Sequence, residues 1–177
     1  MTDSNMPALL HSVVAVAAAI FGAAGSAIFL LDRENERLVF QAVAGVGGNS
    51  LVGTHIPPDM GVLGWVLSSA ESIIIDDLST NRQCGRDIVD LIGYLPSSMM
   101  AAPLLSGGDV LGLLVVLDPV PQCRSNLTEL ELLALFSNQA AIALRVVTAT
   151  AGRDGERGAA RAELLEELRE FLQRTPG

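Results

Sequence analysis

Thiols, imidazoles and paired carboxylates are the side chains from which reaction chemistry is usually built, and this sequence has few of them. Its two cysteines, Cys84 and Cys123, lie 39 positions apart with no His or second Cys near either. That spacing fits neither a zinc site nor a CxxC redox pair. A reactive thiol needs cationic neighbours to stabilise the thiolate, and only Arg82 and Arg86 flank Cys84. Cys84 therefore reads as a partly buried or loop cysteine, and Cys123, between Gln122 and Arg124, as a surface-loop cysteine. His11 and His55 fall on separate segments and read as helix-face and loop residues, not ligands. Asp76 and Asp77 are adjacent. In a strand, neighbours point to opposite faces, so the pair does not converge on one reacting atom and is better placed to cap the following turn. Asp87 and Asp90, three apart, read as a solvated helix face. Gly45-x-Gly-Gly has neither the GKS/GKT sequence nor the strand-to-helix frame of a phosphate loop. No catalytic residue, metal site or cofactor is expected.

Recognition is the chemistry that remains. The segment from Ser79 to Pro96 is the most polar interior stretch. Arg82, Cys84, Tyr94, Ser97 and Ser98, with Met99 or Met100, supply the mixture of directed polar groups and apolar walls that small-molecule cavities use. Arg82, Cys84, Tyr94, Ser98 and Met100 are the candidate ligand contacts, around an expected cavity of roughly 300 Å³ or more. A buried Arg82 would call for an anionic partner such as a carboxylate or phosphate. The alternative, that Arg82, Gln83 and Arg86 coat a surface loop, stays open. Trp65, inside an apolar stretch, is expected in the core.

The elements that must position these residues follow from periodicity. Leu9/Leu10, Val13/Val14, Val16/Ala17 and Ile20/Phe21 recur at helical spacing from Pro7 to about Ala24, with Ala15, Ala18 and Ala19 on the other side. Such a helix needs cover on more than one face. Ser26 to Leu31 and Arg37 to Ala44 form a hairpin across the charged turn from Asp32 to Glu36. A short helix is expected from Gly61 to Ala70, a strand at Ile73 to Ile75 and a helix at Asp87 to Gly93. Ser98 to Leu105 and Val110 to Leu117 flank Ser106-Gly107-Gly108-Asp109 as the clearest hairpin in the chain. Thr128 and Glu131 form a capping box that opens a helix to about Val147. Residues 148–158, with Gly152, Gly155 and Gly158, read as a flexible linker before a C-terminal amphipathic helix in 159–177.

Composition narrows the function classes. The chain has 177 residues and a net charge of −9, and half of its residues are hydrophobic. A domain of this size buries roughly 70% of its unfolded surface and needs no disulfide or structural metal. All eleven basic residues are Arg and they are scattered, which disfavours extended nucleic-acid binding and fits a bacterial, GC-rich coding bias. The cysteine usage suits a reducing cytoplasm. Val13 to Leu31 is long enough to cross a bilayer, but it is Ala- and Gly-rich, has no basic flank and changes period midway, so no membrane span is expected.

Four stretches, taken in order, resemble a GAF domain, a small-molecule sensor module. They are Gly25 to Asp32 (GSAIFLLD); Gly61 to Val66 (GVLGWV) leading to Ser72 to Leu78 (SIIIDDL); Ser98 to Leu105 (SMMAAPLL) with Val110 to Leu117 (VLGLLVVL); and Leu130 to Leu144 (LELLALFSNQAAIAL). The resemblance spans residues 7–147, within a sensor domain placed at 1–147. It implies an α+β fold: a central antiparallel sheet of five or six strands with the N- and C-terminal helices packed on one face and a ligand cavity on the other. It also implies binding or dimerisation more often than catalysis.

The family's special chemistries are tested residue by residue. Its methionine sulfoxide reductases need cysteines where this chain has Leu63 and has Tyr94 or Leu95. Its haem sensors take a His from the stretch that here is Leu91 to Pro96, which contains none. Bilin attachment needs a Cys in a context that neither Cys84 nor Cys123 has, and the cyclic-nucleotide signature requires a Lys that the chain lacks. The expected function is a non-enzymatic sensory or regulatory domain. It would bind an unknown small molecule, form a homodimer through the helices at 7–24 and 128–147, and pass its state to a signalling partner. The alternatives are a ligand-free dimerisation scaffold and, third, the reductase. A last helix at 159–173 that folds back over the apolar helices would compete with the dimer.

Overall fold

The computed structural model describes the backbone of residues 5–80, 82–121 and 128–174, with side chains chiefly within 6–80, 86–121 and 128–149. Helix α1 (Asn5–Phe21) leads into β1 (Gly25–Asp32) and β2 (Arg37–Gly45), followed by β3 (His55–Ile56), α2 (Gly61–Ser69) and β4 (Ile73–Ile75). Then come α3 (Arg82–Ile92), β5 (Met99–Ser106), β6 (Asp109–Leu117) and α4 (Glu129–Arg174). All strand pairs are antiparallel, in the order β3-β2-β1-β6-β5-β4. Two hairpins, β1–β2 and β5–β6, are joined edge to edge by the β1–β6 pairing at the centre of the sheet.

Local chemistry sets the turns. The Asp32 carboxylate accepts from the Asn35 backbone N–H at 3.2 Å, from Asn35 Nδ2 at 2.8 Å and from Arg37 Nε at 3.0 Å, which closes the β1–β2 turn. Gly107 and Gly108 both take positive φ, 63° and 89°, as a two-residue primed hairpin turn requires. At the start of α4 the Glu131 carboxylate accepts from the Thr128 N–H at 2.8 Å, and Thr128 Oγ1 accepts from the Glu131 N–H at 3.3 Å, so the expected capping box forms.

The sheet is covered on both faces, which is why β5 and β6 read as unbroken apolar runs. One core joins Leu10, Val14 and Phe21 of α1 and Leu133, Ala141 and Leu144 of α4 to the sheet. The other places Leu63 and Val66 of α2 and Ile88 of α3 against the opposite face. Two buried hydroxyls tie the terminal helices to strands: Ser26 Oγ donates to Val14 O at 2.6 Å, and Ser137 Oγ donates to Pro103 O at 2.7 Å. Pro103 lacks an N–H and is tolerated in β5 because β4 pairs only with Met99 to Ala101.

Two expectations change, and one alternative falls. The segment 148–158, expected as a linker, is helical, and α4 runs unbroken for 46 residues. Gly152, Gly155 and Gly158 each cost a helix only about 1 kcal/mol relative to Ala. They leave the backbone N–H in place, and they alternate with Ala, Arg and Glu, which favour helix. A separate helix at 159–173 folding back on the domain is excluded by the same continuity. Trp65 is 45% exposed on the outer side of α2, since Leu63 and Val66 supply its buried face. The run from Val13 to Leu31 divides into α1 and β1, so no single helix covers it. The window Glu129–Ala149 is long and apolar enough to span a bilayer. Its Leu133, Ala140, Ala141 and Leu144 are nevertheless buried against this domain's own sheet.

Candidate functional site

The face opposite the terminal helices carries a cavity of about 40 Å³. Strands β1, β2 and β6 form its floor, and α3 its lid. Phe29 and Phe40 meet there with ring centroids 4.1 Å apart and planes tilted by 44°. From α3, Ile88, Leu91 and Ile92 project into the space. Those three side chains explain why the cavity is several-fold smaller than the pocket expected from the sequence. The helix presents its apolar stripe to the sheet and leaves Arg86 and Asp90 exposed.

The candidate contacts divide between three places. Met100 faces the other way: it is fully buried in the core beneath α1 and α4, whereas its neighbour Met99 lines the cavity. Successive strand residues point to opposite faces, and the pairing of Met100 with Val116 and Ile74 fixes the phase. Tyr94 and Ser98 are brought together, but around Asp118 and not around the cavity. The Tyr94 hydroxyl donates to Asp118 Oδ2. Asp118 Oδ1 accepts from the backbone N–H of Ser97 at 2.7 Å and of Ser98 at 2.9 Å, and the Asp118 N–H donates to Ser98 O at 3.0 Å. This cluster pins the entry to β5 against the end of β6. The Asp118 carboxylate, by its hydrogen bond first and burial second, pushes the Tyr94 phenol above its ordinary value of 10.0. Arg82 and Cys84 stand in the first turn of α3, where their side chains lie outside the described residues. Cys123, in 122–127, also lies outside them.

The remaining polar candidates have structural partners. Asp77 Oδ1 accepts from the Ser79 N–H at 2.9 Å and from Ser79 Oγ at 2.5 Å. These bonds, the hydroxyl's first, hold its carboxyl below the usual range and cap the turn at Leu78–Thr80 as expected. His11 and His55 are exposed on α1 and β3. Among the described residues no cluster of His, Cys, Asp or Glu could hold a metal.

Sequence reasoning missed Asp118 and the apolar walls. Asp118 had a signal, an Asp before Pro119 at the end of a strand, where a turn and a backbone-binding carboxylate are favoured. The walls had none, because a liner such as Phe40 or Val115 has the same type and spacing as a core residue.

This architecture, a six-stranded antiparallel sheet with paired terminal helices on one face and a lidded cavity on the other, defines an α+β module. The GAF domain model matches residues 5–144, and the chain belongs to that family. A mouse (Mus musculus) relative, the cone cGMP-specific 3′,5′-cyclic phosphodiesterase subunit alpha′, is 22% identical over 90 residues. That match spans 51% of this chain and only 10% of the relative. The second GAF domain of DevS from Mycobacterium smegmatis superposes with a TM-score of 0.64 at 22% identity, over 83% of this chain and 99% of that one. Residues 122 to 287 of a methyl-accepting chemotaxis protein give a TM-score of 0.67 at 20% identity, over 85% and 98%. The free methionine-R-sulfoxide reductase of Neisseria meningitidis gives 0.62 at 23%, over 87% and 83%. At these identities the solved structures define the fold and not the ligand.

Proposed function

We propose that this module is a non-enzymatic, cytoplasmic sensor that takes a small molecule between the sheet and α3. It pairs with a second copy through α1 and α4 and signals along α4. The observation that carries this reading is α4 itself. One helix of 46 residues, about 70 Å long at 1.5 Å per residue, starts on the sheet and continues to Arg174, well past the part that matches the family at residue 144. Ser137 fastens it to Pro103 of β5, two strands from the cavity floor at β1. A shift in the sheet would therefore move a rigid rod whose far end lies beyond the domain. The outer faces of both helices carry exposed apolar side chains, Val16 on α1 and Leu135 and Ile142 on α4. A second copy would cover them.

Catalysis has little support. The positions that would carry the reductase cysteines hold Leu63 and Tyr94 or Leu95, and the Tyr94 hydroxyl is engaged by Asp118. The cGMP specificity of the mouse relative is not carried over, because the chain has no Lys and the described cavity walls are apolar.

Cavity size favours a second reading. A space of about 40 Å³ is far below the roughly 300 Å³ of an open ligand pocket, which fits a scaffold that pairs without binding anything. Native mass spectrometry of protein purified without denaturation separates the two. The sensor reading expects the polypeptide mass plus a small adduct lost on unfolding. The bare mass from every preparation would leave the scaffold.

A further inference from the structure

The walls of the cavity select the chemistry of its occupant. Ala27, Phe29, Phe40 and Val115 of the sheet and Ile88 and Leu91 of α3 present only hydrocarbon to the space. Ser26 also borders it, but its hydroxyl is taken up by the Val14 carbonyl at 2.6 Å. Among the described residues no charged side chain lines the cavity. Of the polar groups that the sequence nominated, Tyr94 and the Ser98 N–H are both committed to Asp118, and the side chains of Arg82 and Cys84 lie outside the described residues. A carboxylate or phosphate entering here would give up its hydration and meet no donor among the described residues, a penalty that outweighs what burial of its carbon atoms returns. An apolar group loses nothing of that kind. It would also meet the tilted Phe29–Phe40 pair, whose ring faces and edges suit a second ring or an alkyl chain.

Volume says how the group would enter. With about 40 Å³ available, an occupant must take the place of side chains already there. The sheet cannot supply them, because its strands are hydrogen-bonded on both sides at the cavity floor. The lid can: Ile88 and Leu91 are its own apolar stripe, and an apolar ligand replaces their contacts like for like.

On the sensor reading above, we propose that the site takes an uncharged apolar group, a short alkyl chain or a single ring, which displaces Ile88 and Leu91 as α3 moves away from the sheet. The described walls favour such a group over the anion that a buried Arg82 would call for.

Toluene and benzoate test this, being nearly the same shape and differing in charge. Methyl NMR of the full chain follows Leu63, Ile88, Leu91 and Val115 as each probe is added, in the native protein and in Leu91→Ala, whose wall is cut back on the lid side. The native methyl pattern elsewhere in the sheet checks that the variant folds. Toluene is expected to shift these methyls and to bind at least on the order of 100-fold more tightly than benzoate, as the desolvation of a carboxylate demands. Leu91→Ala should bind toluene more tightly than the native chain. Benzoate binding as well as toluene at the same methyls would overturn the apolar assignment and leave the sensor reading standing. Silence from both probes in both proteins would overturn the assignment and the sensor reading together.

Discussion

Tyr94 is the chain's one tyrosine, so its ionisation can be followed without interference. The Asp118 carboxylate accepts its hydrogen bond and raises its pKa above 10.0, with burial acting in the same direction. A raised phenol pKa means that folding favours the protonated form. This contribution to stability is fully present below the unfolded value of about 10 and is lost as pH rises through the folded value. Titration of the tyrosinate absorbance should give a midpoint above 10.0 in the native protein. In Asp118→Ala it should move down toward 10.0, because both the hydrogen-bond acceptor and its charge are removed. Equal midpoints in the two proteins would remove Asp118 as the cause. Ser137 offers a second test on a single atom. Its buried hydroxyl satisfies the Pro103 carbonyl, and Ser137→Ala should cost about 1–3 kcal/mol in denaturant unfolding, while an exposed neighbour such as Asn138→Ala should cost far less.

Two glycines of the β5–β6 hairpin separate backbone conformation from packing. A Cβ at Gly108 would meet nothing within 4 Å, so the cost of Gly108→Ala is its φ of 89° alone, roughly 1–2 kcal/mol. A Cβ at Gly112 would lie 1.9 Å from Phe29 O on β1, so Gly112→Ala must push apart the two hairpins and should be the more destabilising in thermal unfolding. The reverse order would contradict the β1–β6 pairing. Elements with a local code were legible in the sequence: the Gly107–Gly108 turn, the Thr128–Glu131 box, and the strand Ile73–Ile75, which forms as expected. Strand phase was not. Met99 and Met100 lie in a run that is apolar at every position, so a period of two carries no information about which residue faces which side. The two residues of β3, His55–Ile56, are too short for any pattern and form only because β2 offers Leu38 and Val39 as partners. The continuity of α4 was hidden by its glycines, whose cost is spread along a helix long enough to absorb it. Of the site, the position beside the polar segment was legible and its apolar character was not. Among the described residues of that segment, Ser79 is held by Asp77 and Tyr94 by Asp118, while ordinary core residues make the walls.

At the scale of the molecule, the sheet's two faces have different tasks. One is closed over a small apolar cavity by a helix that could lift. The other is clamped by α1 and α4, whose inner faces are buried and whose outer faces carry Val16 at 43%, Leu135 at 51% and Ile142 at 52% exposure. No fold-back helix covers these side chains, because α4 continues as one helix to Arg174. Leu135 and Ile142 are seven apart, two turns along one side of the helix, so a second α4 laid alongside would bury both. Replacing Ile142 with Asp should leave the domain folded, since its side chain plays no part in the core, and should weaken pairing by at least tenfold on the order of the apolar area lost. The measurement that tests the paired-sensor account most directly is the mass of the full chain in solution by light scattering, beside that of Ile142→Asp. The account predicts twice 18.5 kDa for the native chain and a shift toward 18.5 kDa for the variant. A native chain at 18.5 kDa throughout the micromolar range would contradict it.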